Sequence, residues 1–212
     1  MRWLRRLRPS RPRAEDDRWV VVDTETSGLD AARDALLAIG AVAIDANGVR
    51  AGDSFEAVLQ HDGPTDRHNV ALHGIGREAQ LAGTPCGEAI AAFLAWAGAS
   101  PRIAFHADFD RAFLEQAARR ANVAVPRARW LDVAPLAAAL ANEHAHKDRR
   151  MTLDDWLALY GIGCATRHNA ASDALATAEL VLRLRSDAAR QRATTLSDLE
   201  RVARQARWLG AR

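Results

Sequence analysis

Near the start of the chain, residues 18–25 (RWVVVDTE) carry a β-branched apolar run of the kind found in a fully buried strand, and residues 35–45 (ALLAIGAVAID) and 48–60 (GVRAGDSFEAVLQ) read as two more strands. Ala46-Asn47-Gly48 joins the last two, and Asn-Gly supplies the positive φ angles that a tight hairpin requires. The pattern then lapses over 61–85, which reads as a polar loop long enough to carry function. Beyond Pro85 the period becomes helical at 86–98 and 108–123, with short strands at 101–105 and 128–133 between and after them. Residues 134–143, 152–161, 170–191 and 196–210 all read as helices. Three strands followed by αβαβα units predict an α/β fold. Its central mixed five-stranded sheet has three antiparallel strands first and is flanked by helices.

Composition adds limits. The chain has 212 residues, 49 % of them hydrophobic and 26 % charged, which suits one soluble domain with tails. The net charge of +2 does not demand a nucleic-acid partner, but it is unevenly spread. Arg2, Arg5, Arg6, Arg8, Arg11 and Arg13 crowd the N-terminus ahead of Glu15, Asp16 and Asp17. Residues 1–17 therefore read as a basic, disordered arm, either solvated or resting on phosphate. The arm lacks the apolar region of a secretory signal, and no run approaches the ~18 apolar residues of a membrane span. Cys86 and Cys164 are far apart and read as reduced, buried thiols of a cytoplasmic protein. The expected partition is the arm, a main domain over 18–190 and a C-terminal helical extension over 191–212.

Candidate chemistry begins at the end of the first strand. Asp23 and Glu25 are two apart, so both side chains face the same way on a strand. Two neighbouring carboxylates raise each other's pKa, and a hard divalent cation relieves that repulsion; an exposed turn with both acids in water would also relieve it. Asp110 opens a helix whose Phe109, Phe113 and Leu114 face inward, and Asp108 beside it suits a helix N-terminus. His168 stands five residues before Asp173, which falls in an Ala-rich helix where Asp is a poor former and small neighbours allow close approach.

Taken together, Asp23-x-Glu25 with Thr-Ser-Gly-Leu, then Phe109-Asp110, then His168-x-x-x-x-Asp173, resemble the DEDDh (DnaQ-like) 3′→5′ exonucleases. These include the epsilon-type proofreading subunits of bacterial DNA polymerase III and RNase T. The resemblance spans about Trp19 to Leu184 and extends to LHGI at 72–75, MTLDDWLALYGI before the last motif and SDALATAEL within it. It implies an RNase H-like fold in which Asp23, Glu25, Asp110 and Asp173 hold two divalent cations, Mg²⁺ or Mn²⁺. His168 would be the general base, and nucleoside 5′-monophosphates the products. Thr24, Thr26, Gly28 and Leu29 would receive the 3′-terminal nucleotide, with His73 lining its site and Phe109 either stacking there or lying in the core. His106 stands where the family usually has Asn, which puts that hydrogen-bonding role in doubt. His144 and His146 resemble a metal pair but lie in a polar loop.

The expected substrate is the 3′ end of single-stranded or frayed DNA, in proofreading or repair. The alternatives are an exoribonuclease and a non-catalytic module that docks on a polymerase or nucleic acid. No long linker or glutamine-headed clamp-binding peptide follows Asp173, which favours a stand-alone or repair-type nuclease over a DNA polymerase subunit. A homodimer, as in some relatives, stays open.

Overall fold

The computed structural model describes residues 18–64, 67–141 and 151–209. The N-terminal arm and the His144/His146 pair lie outside the described residues. The first strand, β1 (Trp19–Thr26), is joined to a hairpin of β2 (Leu36–Asp45) and β3 (Gly48–Val58). The tight turn falls where Asn-Gly places it, with Gly48 at φ 124° and the Asn47 N–H held by Asp45 Oδ1 at 2.7 Å.

Residues 61–85 differ from the expected loop. They contain α1 (Arg67–His73) and α2 (Arg77–Ala82), and a bridge from Leu59 to Thr84 ties the segment to the end of β3. Helices this short bury one face through a few contacts, so they leave no sustained period in the sequence. Then follow α3 (Cys86–Ala97), β4 (Arg102–Ala104), α4 (Ala107–Arg120), β5 (Trp130–Asp132) and α5 (Val133–Leu140). The chain closes with α6 (Leu153–Tyr160), α7 (Ala170–Arg190) and α8 (Leu196–Leu209). Asp132 ends β5 and caps α5 by accepting from the Ala134 N–H at 3.1 Å.

The sheet order is β3-β2-β1-β4-β5. β1–β2 and β2–β3 are antiparallel, while β1–β4 and β4–β5 are parallel, which gives the mixed five-stranded sheet expected from the sequence. Strand alternation sends Trp19 and Val21 into one core with α5, α6, α7 and α8, and Val20 and Val22 into a second with α3 and α4. Leu196, Leu199 and Ala203 of α8 belong to the first of these cores.

Two features of this frame position the chemistry. β4 pairs with β1 at Val20 and Val21 and stops at Ala104, so on that side the acidic end of β1 has no neighbouring strand. On its other side, Asp23 pairs with Gly40 of β2. A Cβ on Gly40 would overlap the backbone of Ala170 and Ala171, so the missing side chain lets α7 start directly against the sheet.

Candidate metal and catalytic site

Alternation along β1 divides its end between the two faces of the sheet. Asp23 and Glu25 share the side of Val21, toward α7, and Thr24 faces α4. Asp173 lies in the first turn of α7, close to where Gly40 admits it, and is 4 % exposed. Ligand oxygens of Asp23, Glu25 and Asp173 lie within 4.8 Å of one another. Asp110 arrives from the opposite face, in the first turn of α4. It is buried, and its Oδ1 accepts from the Thr24 hydroxyl at 2.8 Å. Asp110 thus stands outside the close trio but near enough to act on Asp23 electrostatically.

Asp23, Glu25 and Asp110 disfavour ionisation in the absence of a cation. Burial raises the Asp23 pKa well above the usual carboxylate range, and Asp110, Glu25 and Asp173 add repulsion. Burial and Asp173 push Glu25 up to about 7. Burial also pushes Asp110 up to about 7, against the hydrogen bond from Thr24 that favours its charged form.

One compensating charge is a residue that motif spacing did not single out. Arg167 ion-pairs with both Asp173 and Asp154. Burial alone would lower its pKa, but those two carboxylates hold it above the ordinary arginine value. The rest of the Asp173 shell is local: Oδ2 accepts the His168 N–H at 3.0 Å, and the Cys164 thiol approaches Oδ1 at 3.4 Å. Cys164 and Cys86 are free and half-buried. Burial, with Asp173 beside it, raises the Cys164 pKa and keeps it a thiol.

A trio of clustered carboxylates is the donor set that a hard divalent cation favours, since its charge outweighs their mutual repulsion. Asp23, Glu25 and Asp173 therefore fit a metal, with Asp110 placed to join from across the strand end.

The remaining predicted site residues fall around this centre. His168 is half-buried just ahead of α7, at φ 59°, in the left-handed region that non-glycine residues occupy only at a cost. His73 is buried with its Nδ1 accepting from the Ile75 N–H at 3.0 Å, and its Nε2 has no partner. Burial, together with nearby His168, lowers the His73 pKa. Leu29 is 87 % exposed at the tip of the turn after β1. The Thr26 hydroxyl donates to the Gly28 carbonyl at 2.6 Å, inside that same turn. Gly28 makes room for Asp34, whose carboxylate would collide with a Cβ there and which accepts the Asp30 N–H at 2.8 Å. Phe109 packs in the α3/α4 core with its ring 4.8 Å from Phe113. His106 is exposed at φ 64° before α4, and its N–H donates to Asp132 Oδ1 at 3.0 Å.

The family model described as "Exonuclease" matches residues 20–181, a span that includes every acid above. The chain belongs to the exonuclease family. Among curated proteins it is similar to the PolC-type DNA polymerase III of Thermotoga maritima, with 28 % identity over 187 residues, 88 % of this chain and 13 % of that one. The PolC-type polymerase of Bacillus subtilis is 30 % identical over 176 residues, 82 % of this chain and 12 % of that one. The chain thus spans about an eighth of the length of these relatives.

Solved structures share the fold of this exonuclease domain. E. coli exonuclease I in complex with a dT13 oligonucleotide superposes with a TM-score of 0.71 at 17 % identity, covering 82 % of this chain and 42 % of that one. Exonuclease X in complex with 5′-overhanging duplex DNA gives a TM-score of 0.66 at 19 % identity, covering 87 % and 99 %.

Proposed function

We propose that this exonuclease domain removes nucleoside 5′-monophosphates one at a time from the 3′ ends of single-stranded or frayed DNA. The observation that carries the reading is the convergence of Asp23, Glu25 and Asp173 within 4.8 Å, with Asp110 alongside, at the end of one strand of an exonuclease-family domain. DNA is favoured because exonuclease I and exonuclease X, of like fold, are described bound to it, and because the curated relatives are DNA polymerases.

Two divalent cations, Mg²⁺ or Mn²⁺, held by Asp23, Glu25, Asp110 and Asp173, would supply the charge that acidifies an attacking water and stabilises the departing 3′-oxygen. His168 takes the proton of that water. Its backbone is already tied to Asp173 through the 3.0 Å hydrogen bond, which keeps the base beside the acids. Exposed Leu29 offers an apolar surface to the terminal base, on a turn stiffened by the Thr26–Gly28 bond and the Asp34 cap. Thr24 acts from beneath by holding Asp110, and buried His73 lines the floor near His168. Such contacts reach sugar, phosphate and base faces, so sequence preference is weak.

The test uses matched 5′-labelled single-stranded DNA and RNA oligonucleotides. Protein with Mg²⁺ or Mn²⁺ should shorten the DNA in a ladder of single-nucleotide steps, EDTA should stop it, and Asp23→Ala should abolish it. A ladder from RNA alone, or an undiminished ladder from Asp23→Ala, sinks the reading.

A further inference from the structure

At the end of β4 away from the carboxylates, a cavity of about 630 Å³ opens between α3, α4 and the segment leading into β5. Phe93, Leu94, Leu114, Val123 and Trp130 give it apolar walls. Arg102, the first residue of β4, also lines it and is 2 % exposed. The Arg102 guanidinium lies 5.9 Å from the Phe93 ring centre and 5.8 Å from that of Trp130. Its Nε and Nη2 are buried with no hydrogen-bond partner. The nearby carboxylate, Glu115, is engaged elsewhere: its Oε1 accepts from Arg111 Nε at 2.7 Å. Exposed Arg111, Arg119 and Arg127 complete the lining, so four arginines face one glutamate.

A buried guanidinium normally finds an anion or several acceptors, because lost hydration is otherwise uncompensated. Here the guanidinium borders a space that also presents two aromatic rings and a cationic rim. That combination suits a ligand with a compact anionic head and a flat apolar body. The surplus of three positive charges favours a phosphate dianion over a carboxylate, and arginine forks match phosphate oxygens in pairs. A volume of about 630 Å³ lies within the usual range of small-molecule sites.

We propose that this cavity binds a phosphomonoester with a flat apolar body, of the nucleoside monophosphate class. Its phosphate rests on Arg102 and the arginine rim, and its base lies against Phe93 and Trp130. The site is separate from the carboxylates, because Arg102 begins β4 whereas Asp110 reaches past the other end of that strand.

The experiment is calorimetric titration of the whole chain in EDTA, so that no divalent cation bridges a phosphate to the carboxylates. The probes are adenosine 5′-monophosphate, inorganic phosphate and adenosine. Saturable binding of the monophosphate at one site is expected, with each fragment weaker by at least about tenfold, the loss of roughly one charge-assisted contact. Arg102→Met should abolish binding. Because that variant removes a buried side chain and its folding is itself at stake, Arg119→Ala/Arg127→Ala on the exposed rim serves as the second variant. It should weaken binding by about tenfold or more at unchanged melting temperature. No saturable binding in EDTA, equal affinity for inorganic phosphate, or undiminished binding to the rim variant each overturns the proposal. The readout does not depend on whether the carboxylate site cleaves DNA.

Discussion

Gly40→Ala is the sharpest perturbation that the fold offers, because it adds one methyl group at the hinge between sheet and site. Gly40 pairs with Asp23 across the strands, and its Cα faces the backbone of Ala170 and Ala171. The added Cβ falls well inside the 3.0 Å at which something must shift, and what it meets is backbone, not a flexible side-chain tip. Ordinary contact begins at 3.4 Å, so the start of α7 has to back off by about 1 Å, because packed backbone does not compress.

Asp173 lies in the first turn of that helix and moves with it. Overpacking of this kind costs about 1–3 kcal/mol, which at this chain length lowers the melting temperature by about 2–12 °C. A displacement near 1 Å in a catalytic group costs about 100-fold in rate. Melting curves, Mn²⁺ titration and the DNA ladder assay on Gly40→Ala should show all three losses together. Gly52→Ala is the control, since a Cβ there meets nothing within 4 Å, and it should behave as the parent. A Gly40→Ala protein with parental melting temperature, Mn²⁺ requirement and rate would refute the claim that Gly40 sets the height of α7.

The pH dependence of the chelated protein follows from the raised carboxylates. An acid whose pKa is higher folded than unfolded contributes its stability below the unfolded value, and that contribution is lost as pH rises through the folded value. Glu25 and Asp110 reach about 7, so in EDTA the melting temperature should fall from pH 5 to pH 8, and Mg²⁺ or Mn²⁺ should restore it at pH 8; a flat profile contradicts the assignment. Arg167→Ala should weaken the chelated protein by about 3 kcal/mol, the usual cost of leaving a buried charge unpaired, and should lower the Mn²⁺ concentration for half-maximal activity because Asp173 is freed. An unchanged Mn²⁺ requirement would show that the guanidinium does not compete for that carboxylate. Thr24→Val removes the donor to Asp110, which costs about 1–3 kcal/mol and moves the acidic limb of the pH–rate profile upward, because that hydrogen bond holds the Asp110 pKa down.

Much of this arrangement was legible in the chain, and what was missed has physical reasons. The apolar run before Asp23, the helix around Asp110 and the Ala-rich helix holding Asp173 each announced themselves by local period. The motif order then joined three distant segments. Gly40 passed unremarked, although an isolated glycine in an apolar strand signals close approach of another backbone; which element approaches is a tertiary fact. Arg167 was hidden because motif spacing marks the acids and the base, whereas a charge partner can come from any nearby position. The motif assigns the Thr24 backbone to the nucleotide and says nothing of its hydroxyl, which faces Asp110 because strand alternation points it away from Asp23. In the sequence, α1 and α2 read as loop because each is too short to show a repeating face.

The site also explains why two acids sit on a strand and two on helices. Asp110 and Asp173 each occupy the first turn of a helix, where the macrodipole favours negative charge, and the two helices approach the end of β1 from opposite faces. Both have further partners: the Thr24 hydroxyl for Asp110, and Arg167, Cys164 and the His168 N–H for Asp173. Asp23 and Glu25 have less help, the charge of Arg167 alone favouring their ionised forms. Among the described residues neither accepts a side-chain hydrogen bond, and a strand end has no helix dipole to offer them. The fold therefore steadies the helix-borne acids as fixed walls and leaves the strand-borne pair the less compensated charge. If the cation serves mainly that pair, Asp23→Asn should raise the melting temperature of the chelated protein while removing its stabilisation by Mn²⁺, because it deletes a repulsion that Arg167 offsets only in part. A chelated Asp23→Asn protein less stable than the parent would instead mean that Asp23 carries a compensating contact of its own.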